Sequence, residues 1–128
     1  MAKTLMTNVG KRKICRAHAG DGELAPIVSM AIGSGGIAED GSVRTPTGKE
    51  TELYGPLIVK RIEKHAYMNE EETTCRYTAS LEKNELAGEK ISELGLIDSD
   101  GDLVAYKTFA VKEKDGDMKF IFDIDEIL

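Results

Sequence analysis

Glu93 is the residue of this chain that comes nearest to catalytic chemistry, because it interrupts an apolar segment that runs from residue 91 to residue 97. A carboxylate in such a segment can act as a general acid with a raised pKa, in an enzyme that uses His18 or His65 as its partner. The spacing identifies neither histidine, and a Gly-x-Ser-x-Gly nucleophile elbow is absent from the sequence. We favour a structural Glu93 that accepts backbone or lysine hydrogen bonds, and we predict no catalytic residues and no enzyme activity.

Three aspartates, Asp98, Asp100 and Asp102, alternate in the manner of calcium ligands. An EF-hand loop requires glycine at its sixth position and glutamate at its twelfth. Here the glycine, Gly101, is fourth, and Phe109 occupies the twelfth position. The segment therefore predicts a hairpin turn rather than a calcium site.

Two cysteines and two histidines could in principle supply a zinc site. Cys15 and His18 have the short spacing of half a site, whereas His65 and Cys75 are too far apart along the chain to complete it. A cysteine on the apolar face of a strand is more often part of the core. We predict no metal site, and two free thiols rather than a disulfide.

The glycine-rich segment Gly33-Ser34-Gly35-Gly36 suggests a phosphate-binding loop. A P-loop ends in Gly-Lys-Ser/Thr, so that backbone amides and the lysine converge on the phosphates, whereas Gly48-Lys49 is followed here by Glu50. A dinucleotide fingerprint at the start of a helix is also absent. We therefore predict no nucleotide site and no cofactor.

Charge and composition exclude further classes of protein. The 17 basic residues are outnumbered by 23 acidic ones, giving a net charge of −6, and only 5% of the 128 residues are aromatic. This balance argues against general nucleic-acid binding, and the basic cluster at residues 11–16 is typical of a solvated helix face. No apolar run approaches the roughly 18–20 residues of a membrane helix. No secretory signal is recognisable either, so we expect no nucleic acid, no membrane and synthesis in a cytoplasm.

The elements that must position these residues follow from capping and periodicity. Thr7 is a candidate N-cap for a helix that ends near His18, and Gly10 fits there if a neighbouring backbone needs the space. Residues 33–52 predict a long ordered loop. Apolar runs and period-two alternation predict strands at 27–32, 57–68 (with one solvated face or at an edge), 75–82, 91–97 (central), 103–111 and 118–125. The fold class is α+β, a single domain over residues 1–128 in which an N-terminal helix packs on a mainly antiparallel β-sheet with a C-terminal β-meander.

The order of four segments carries a resemblance to a known family. They are Thr7-Asn8-x-Gly10, Met30-Ala31-Ile32-Gly33-Ser34-Gly35-Gly36, Pro46-Thr47-Gly48-x-Glu50-Thr51-x-Leu53 and the hairpin from Ile91 to Ala105. In this order they resemble the N-terminal domain of phage tail-collar fibre proteins, over most of residues 7–111. We refer to them below as the signature segments.

This resemblance implies a structural component of a phage or prophage tail or baseplate, which attaches or connects tail-fibre material through protein–protein contacts. It implies no active site and no cofactor, and a location in the virion tail after synthesis in the host cytoplasm. Glu93 then acts as a buried or half-buried hydrogen-bonded anchor. Because collar fibres usually continue into a shaft and a receptor-binding tip, 128 residues are expected to form the attachment domain alone.

Two further expectations concern partners and ligands. Residues 1–18 carry five basic and no acidic side chains, whereas residues 98–128 carry nine acidic side chains against four lysines. Complementary ends of this kind favour a homo-oligomer with salt-sensitive contacts, alongside contacts with other phage tail or baseplate proteins. The alternative function is a small ligand- or carbohydrate-binding module in which the 33–52 loop closes as a lid.

Overall fold

A computed structural model of the chain describes residues 3–128. Over this range the chain forms one helix and eight strands: β1 (Lys3–Met6), α1 (Asn8–His18), β2 (Ile27–Gly33), β3 (Pro56–Arg61), β4 (Lys64–Tyr67), β5 (Thr74–Leu81), β6 (Lys90–Asp98), β7 (Leu103–Glu113) and β8 (Phe120–Ile127). None of the helical structure in residues 3–128 has the length and apolar character required to cross a membrane.

The strands form two antiparallel sheets that pack against each other. The five-stranded sheet has the order β1-β7-β6-β2-β3, and the three-stranded sheet has the order β4-β5-β8. Both sheets contribute to the main apolar core, which includes Met30, Ile32, Ala79, Leu81, Ile91, Leu94, Leu96, Phe109, Phe122 and Ile124. The predicted α+β class is therefore right only in outline, because β-structure dominates and the core lies between two sheets rather than between a helix and a sheet.

The most regular predicted strands are confirmed. β5 pairs with β8 without interruption from Thr74 opposite Ile127 to Leu81 opposite Phe120. Period-two alternation in both strands places their apolar side chains on one face, which is the condition for a strand that covers a core. β6 is the central strand of the five-stranded sheet, as its nearly continuous apolar sequence predicts.

The predicted C-terminal meander is wrong in its last strand. β6 and β7 form the expected hairpin around the turn at 98–102, but β8 pairs with β5 in the other sheet. The connection is held by Lys114, whose buried ammonium donates to the backbone oxygens of Lys83 and Asp115. Alternation predicts which face of a strand is buried but not which strand lies beside it, and so the sequence pattern gives no sign of the change of sheet.

The predicted strand at 57–68 is in fact two strands in different sheets. β3 is an edge of the five-stranded sheet and β4 is an edge of the three-stranded sheet, so the edge position is confirmed and the continuity is not. The chain changes sheet at residues 62–63, between the two strands. β1 was not predicted at all, since four residues are too few to show a period, and its strand geometry depends on pairing with β7.

The predicted helix start is confirmed. The Thr7 hydroxyl oxygen accepts from the Gly10 amide at 3.1 Å, and the same hydroxyl donates to the Leu103 carbonyl at 2.7 Å. A Cβ atom on Gly10 would lie 2.5 Å from the Val104 oxygen. Glycine therefore lets the backbone of α1 lie directly on β7, which explains its place inside a helix.

Candidate functional site

The long loop between β2 and β3, residues 34–55, lies on the outer face of the five-stranded sheet. This is the face directed away from the main core. The buried Leu53 of the loop packs there with Ala31, Leu103 and Tyr106 in a second, smaller apolar cluster. Only the isolated pairing of Ile37 with Val43 interrupts the irregular backbone between β2 and β3 within the described residues. The predicted ordered loop is confirmed, and it forms a third layer of the fold.

The carboxylate of Glu93 is the centre of this layer. Its side chain leaves β6 on the outer face and is completely buried. Oε2 accepts from the backbone amides of Gly35 at 2.8 Å and Gly55 at 2.6 Å. Oε1 accepts from the Tyr54 amide at 3.0 Å and the Tyr106 hydroxyl at 2.5 Å. A carboxylate offers only acceptors, so four converging donors satisfy it and bind the loop to the sheet.

Tyr106 is held as a donor by its surroundings. Burial and the hydrogen bond to Glu93 raise the pKa of the Tyr106 hydroxyl far above its ordinary value. The hydroxyl therefore keeps its proton at neutral pH and donates it to the hydrogen bond with Glu93. This anchor is the structural role expected for Glu93, and neither His18 nor His65 is among its hydrogen-bond partners.

The glycine-rich segment is explained by its close approach to β6. A Cβ atom on Gly33 would lie 2.6 Å from Oε2 of Glu93, and one on Gly35 would lie 2.7 Å from the same oxygen. A Cβ atom on Gly36 would overlap the backbone oxygen of Ser92, whose hydroxyl accepts from the Gly36 amide at 2.8 Å. The amides that a phosphate cradle would direct at a ligand donate here to side chains of β6.

A second buried carboxylate, Glu50, organises the turn at 47–50. Its Oε1 accepts from the Gly48 amide at 2.8 Å, and its Oε2 accepts from the Thr47 amide at 2.8 Å and from the Tyr54 hydroxyl at 3.3 Å. Burial on its own would raise the pKa of the Glu50 carboxyl, but the hydrogen bonds from backbone amides outweigh it and hold this pKa below its ordinary value.

Arg44 connects two parts of the loop to each other and to β7. Its guanidinium lies 3.8 Å from the centre of the Tyr54 ring, and its Nε donates to the Gly35 carbonyl at 3.0 Å. The Arg44 carbonyl in turn accepts from the Thr108 hydroxyl of β7 at 2.5 Å. The arginine thus joins the two ends of the loop and the sheet beneath them.

The four signature segments meet in this layer. The Thr7 amide donates to the Val104 carbonyl at 3.0 Å, which joins the helix segment to the hairpin. The Asn8 amide donates to the Gly48 carbonyl at 2.6 Å, which joins the helix segment to the turn at 47–50. The bond between Gly35 and Glu93 joins the glycine-rich segment to the hairpin. Segments that are far apart in the sequence therefore form one contiguous hydrogen-bonded cluster.

The three aspartates of the 98–102 turn surround Lys13 of α1. The Lys13 ammonium lies 2.6 Å from Asp98, 3.1 Å from Asp100 and 2.6 Å from Asp102. Burial opposes its charge, but the hydrogen bonds to Asp102, Asp98 and Asp100 prevail and raise the pKa of Lys13. The predicted hairpin turn is confirmed, and a lysine from the helix occupies the point where the three carboxylates converge.

The cysteines and histidines do not form one set of ligands. Cys15 is exposed on α1, whereas Cys75 is buried in β5. His65 packs against the Tyr77 ring at a centroid distance of 6.0 Å. Among the residues that the structure describes, the 98–102 aspartates are the only group of three such side chains whose ligand atoms come together.

Sequence reasoning identified Glu93 but not its partners. Tyr106, Tyr54 and Gly55 come from other parts of the chain, and no spacing rule links them to Glu93. Glu50 belongs to the third signature segment, and its position three residues after Thr47 could have predicted its role. A carboxylate at that distance can accept hydrogen bonds from the amides of the turn.

The fold and the site together define a small β-sandwich whose buried carboxylates bind its own backbone. The chain belongs to the phage tail-collar fibre protein family, because the model of the N-terminal region of that family matches residues 1–119. The family is structural, and the chain is accordingly a component of the virion tail that associates with other phage tail proteins. Comparison with curated proteins found no match, and neither did comparison with solved structures.

Replacing Glu93 by glutamine tests the anchor. A glutamine amide presents one acceptor and one donor group, so at least one buried donor loses its partner. We expect Glu93→Gln to lower the free energy of unfolding in urea by about 2–4 kcal/mol, and Tyr106→Phe by about 1 kcal/mol. Glu113→Gln, which changes an exposed carboxylate at the end of β7, is the control and should cost less than about 0.5 kcal/mol. Equal stability of the Glu93 and Glu113 variants would contradict the anchor role.

The lowered pKa of Glu50 predicts a specific acid dependence. The folded state binds this proton less readily than the unfolded state, so the stabilisation is complete above the ordinary pKa of 4.5 and is lost as the pH falls through the folded value. We expect the stability difference between the unaltered protein and Glu50→Gln, measured by urea unfolding, to narrow below pH 4.5. Glu52→Gln, in the same loop but exposed, controls for the loss of one charge. A difference that stays constant into acid would refute this role of the carboxylate.

Proposed function

We propose that this domain connects tail-fibre material to the tail or baseplate of a phage or prophage particle through protein–protein contacts. One observation carries the proposal: the signature segments of a tail-collar fibre family are used inside the fold, where they close the outer face of the five-stranded sheet. They produce a rigid body, and the remaining surface is then available for contacts with other tail proteins. The 128 residues act as one domain, since strands from both ends of the chain pair within the two sheets that share the core.

The contacts of the loop support this role over the ligand-binding alternative. A lid must open, whereas the amides of Gly35, Tyr54 and Gly55 are bound by one buried carboxylate. Leu53 of the loop is buried against the sheet, in the space that a ligand bound under the loop would have to occupy. Opening would therefore expose an apolar cluster and leave the Glu93 carboxylate without its donors.

Self-association through charged surfaces forms a second part of the proposal. The structure places Lys13 in a cluster with the 98–102 aspartates, so part of the charge asymmetry is neutralised within the chain. Lys11, Arg12 and Arg16 stay exposed on α1, and several acidic side chains stay exposed in the C-terminal region. We propose that these surfaces meet between copies in a homo-oligomer. The chain would be made in the host cytoplasm, where Cys15 and Cys75 remain free thiols.

Deleting the gene from a phage or prophage that carries it tests the tail role. We expect particles with complete tails but without attached fibres, as seen by negative-stain electron microscopy, because the connecting domain is missing. Supplying the unaltered gene in trans should restore the fibres and the adsorption of the particles to cells. Particles that keep their fibres after the deletion would contradict the proposed function.

Salt dependence tests the proposed self-association. We expect oligomers in sedimentation velocity at about 50 mM salt that dissociate at about 500 mM, since exposed charges are screened over a shorter distance as salt rises. Arg12→Glu should weaken them at low salt, whereas Lys83→Glu, an exposed charge reversal away from α1, should not. A chain that stays monomeric at high concentration and low salt would rule out this mode of assembly.

A further inference from the structure

The inner face of the three-stranded sheet extends beyond the core that it covers. In β5 and β8, the residues Ala79, Leu81, Phe122 and Ile124 on this face are buried in the main core. The pairing register places five more side chains on the same face, towards the other end of the sheet: His65, Tyr67, Cys75, Tyr77 and Glu126. This overhanging end carries aromatic and carboxylate groups where the covered end carries aliphatic and phenylalanine side chains.

The aromatic side chains of the overhang are partly open to solvent. Tyr67 is 57% exposed, His65 is exposed and Tyr77 is half-buried. The His65 ring packs edge-on against Tyr67 at 6.1 Å and is tilted against Tyr77 at 6.0 Å, so the three rings form one row. Rings directed towards a core yet left exposed are typical of a surface that another chain covers.

A cleft of about 230 Å³ separates the overhang from α1 and the segment before β2. We call it the overhang cleft. Most of its wall is apolar, and Leu24 at its rim is 56% exposed. The side chains that matter here are Met6, Ile14, Leu24, Ile27, Tyr77 and Glu126. The cleft can thus take an apolar side chain with a carboxylate beside it.

Glu126 differs from the carboxylates around it because it forms no ion pair with a lysine or arginine among the described residues. Asp98, on the far wall of the cleft, is paired with Lys13, and Asp125, the neighbour of Glu126 in β8, is paired with Arg76. Burial raises the pKa of Glu126, and no hydrogen bond or ion pair from the described residues offsets that effect. Lys11 and Glu126 both line an adjoining cleft, but Lys11 is not among the ion-paired side chains of residues 3–128.

We propose that the overhang cleft binds an extended segment of a partner tail protein, with an apolar side chain in the cleft and an adjacent arginine or lysine paired with Glu126. This inference rests on the proposed function. The charge of Glu126 selects a cationic residue. The half-buried Tyr77 ring in the cleft wall, with the exposed Tyr67 ring further along the same face, gives the stem and charge of that residue a favourable surface. The three consecutive glutamates at 70–72, in the turn between β4 and β5, add negative charge at the same end of the sheet.

A second copy of the chain fits this cleft less well. A two-fold contact between two overhangs would bring the Glu126 carboxylates and the glutamates at 70–72 together, and like charges repel. The basic face of α1 offers Lys11, Arg12 and Arg16 but no large apolar side chain to enter the cleft. The occupant is therefore a different segment, one that combines apolar and basic residues.

Titration of the isotope-labelled full chain with short Gly/Ser-flanked peptides tests the proposal by NMR. The peptides are centred on Leu-Arg-Leu, Leu-Gln-Leu and Ser-Arg-Ser. We expect saturable shifts at Ile27, Tyr77 and Glu126 with Leu-Arg-Leu, and binding roughly fivefold weaker with Leu-Gln-Leu. Glu126→Gln should remove that difference between peptides, while the control Glu113→Gln keeps it.

Three results of the peptide titration would overturn the proposal. They are no saturable shift up to about 5 mM peptide, shifts that avoid the cleft, and equal binding by the Glu126→Gln and Glu113→Gln proteins. Movement of the cleft resonances with protein concentration alone would assign the cleft to a second copy and overturn it too. The particle experiment is independent: fibres lost on deletion without peptide binding reject the cleft, whereas peptide binding with fibres retained rejects the tail role.

Discussion

The hydrogen bonds to the buried Glu93 carboxylate are the constraint on which the outer layer of this protein depends. Moving a carboxylate out of water is costly, and the four donors offset that cost only while all of them stay in place. The donors come from the glycine-rich segment, from the end of the loop and from β7, so one charged group sets the relative position of three segments. Glycine at positions 33, 35 and 36 follows from the same constraint, because a Cβ atom at any of them would collide with β6 or with the loop.

The two sheets are consequently used in different ways. The five-stranded sheet is covered on one face by the three-stranded sheet and on the other by the loop. The outer face of the three-stranded sheet carries two polar pairs, Arg76 with Asp125 and Thr78 with Asp123, and also the exposed Ile121 and Ile127. At the β8 edge, the Lys107 ammonium donates to the Asp123 carbonyl. Such a lysine discourages pairing of β8 with a foreign strand. On the inner face of the overhanging end, the His65 and Tyr67 side chains are exposed.

Sequence patterns predicted local structure well and long-range pairing poorly. The helix cap at Thr7, the alternation in β5 and the turn at 98–102 depend on neighbouring residues, and all are confirmed. The division of 57–68 into two strands and the transfer of β8 to the other sheet depend on contacts that no local pattern encodes. For the site, an interrupting carboxylate identified Glu93, and its three donor segments lie 13 to 58 residues away. The family resemblance indicated which segments are important. The fold shows in addition that these segments contact one another.

Native-state hydrogen exchange of the Gly35, Tyr54 and Gly55 amides measures most directly whether Glu93 holds the loop on the sheet. If the carboxylate binds these amides throughout the lifetime of the folded state, they exchange as slowly as the central amides of β6, and only through large-scale opening. Amides of the same loop that exchange as fast as those of the exposed turn at 70–72 would show that the loop opens independently of the sandwich. That result would contradict the anchor role of Glu93 and would support the alternative function, in which the loop acts as a mobile lid over a ligand.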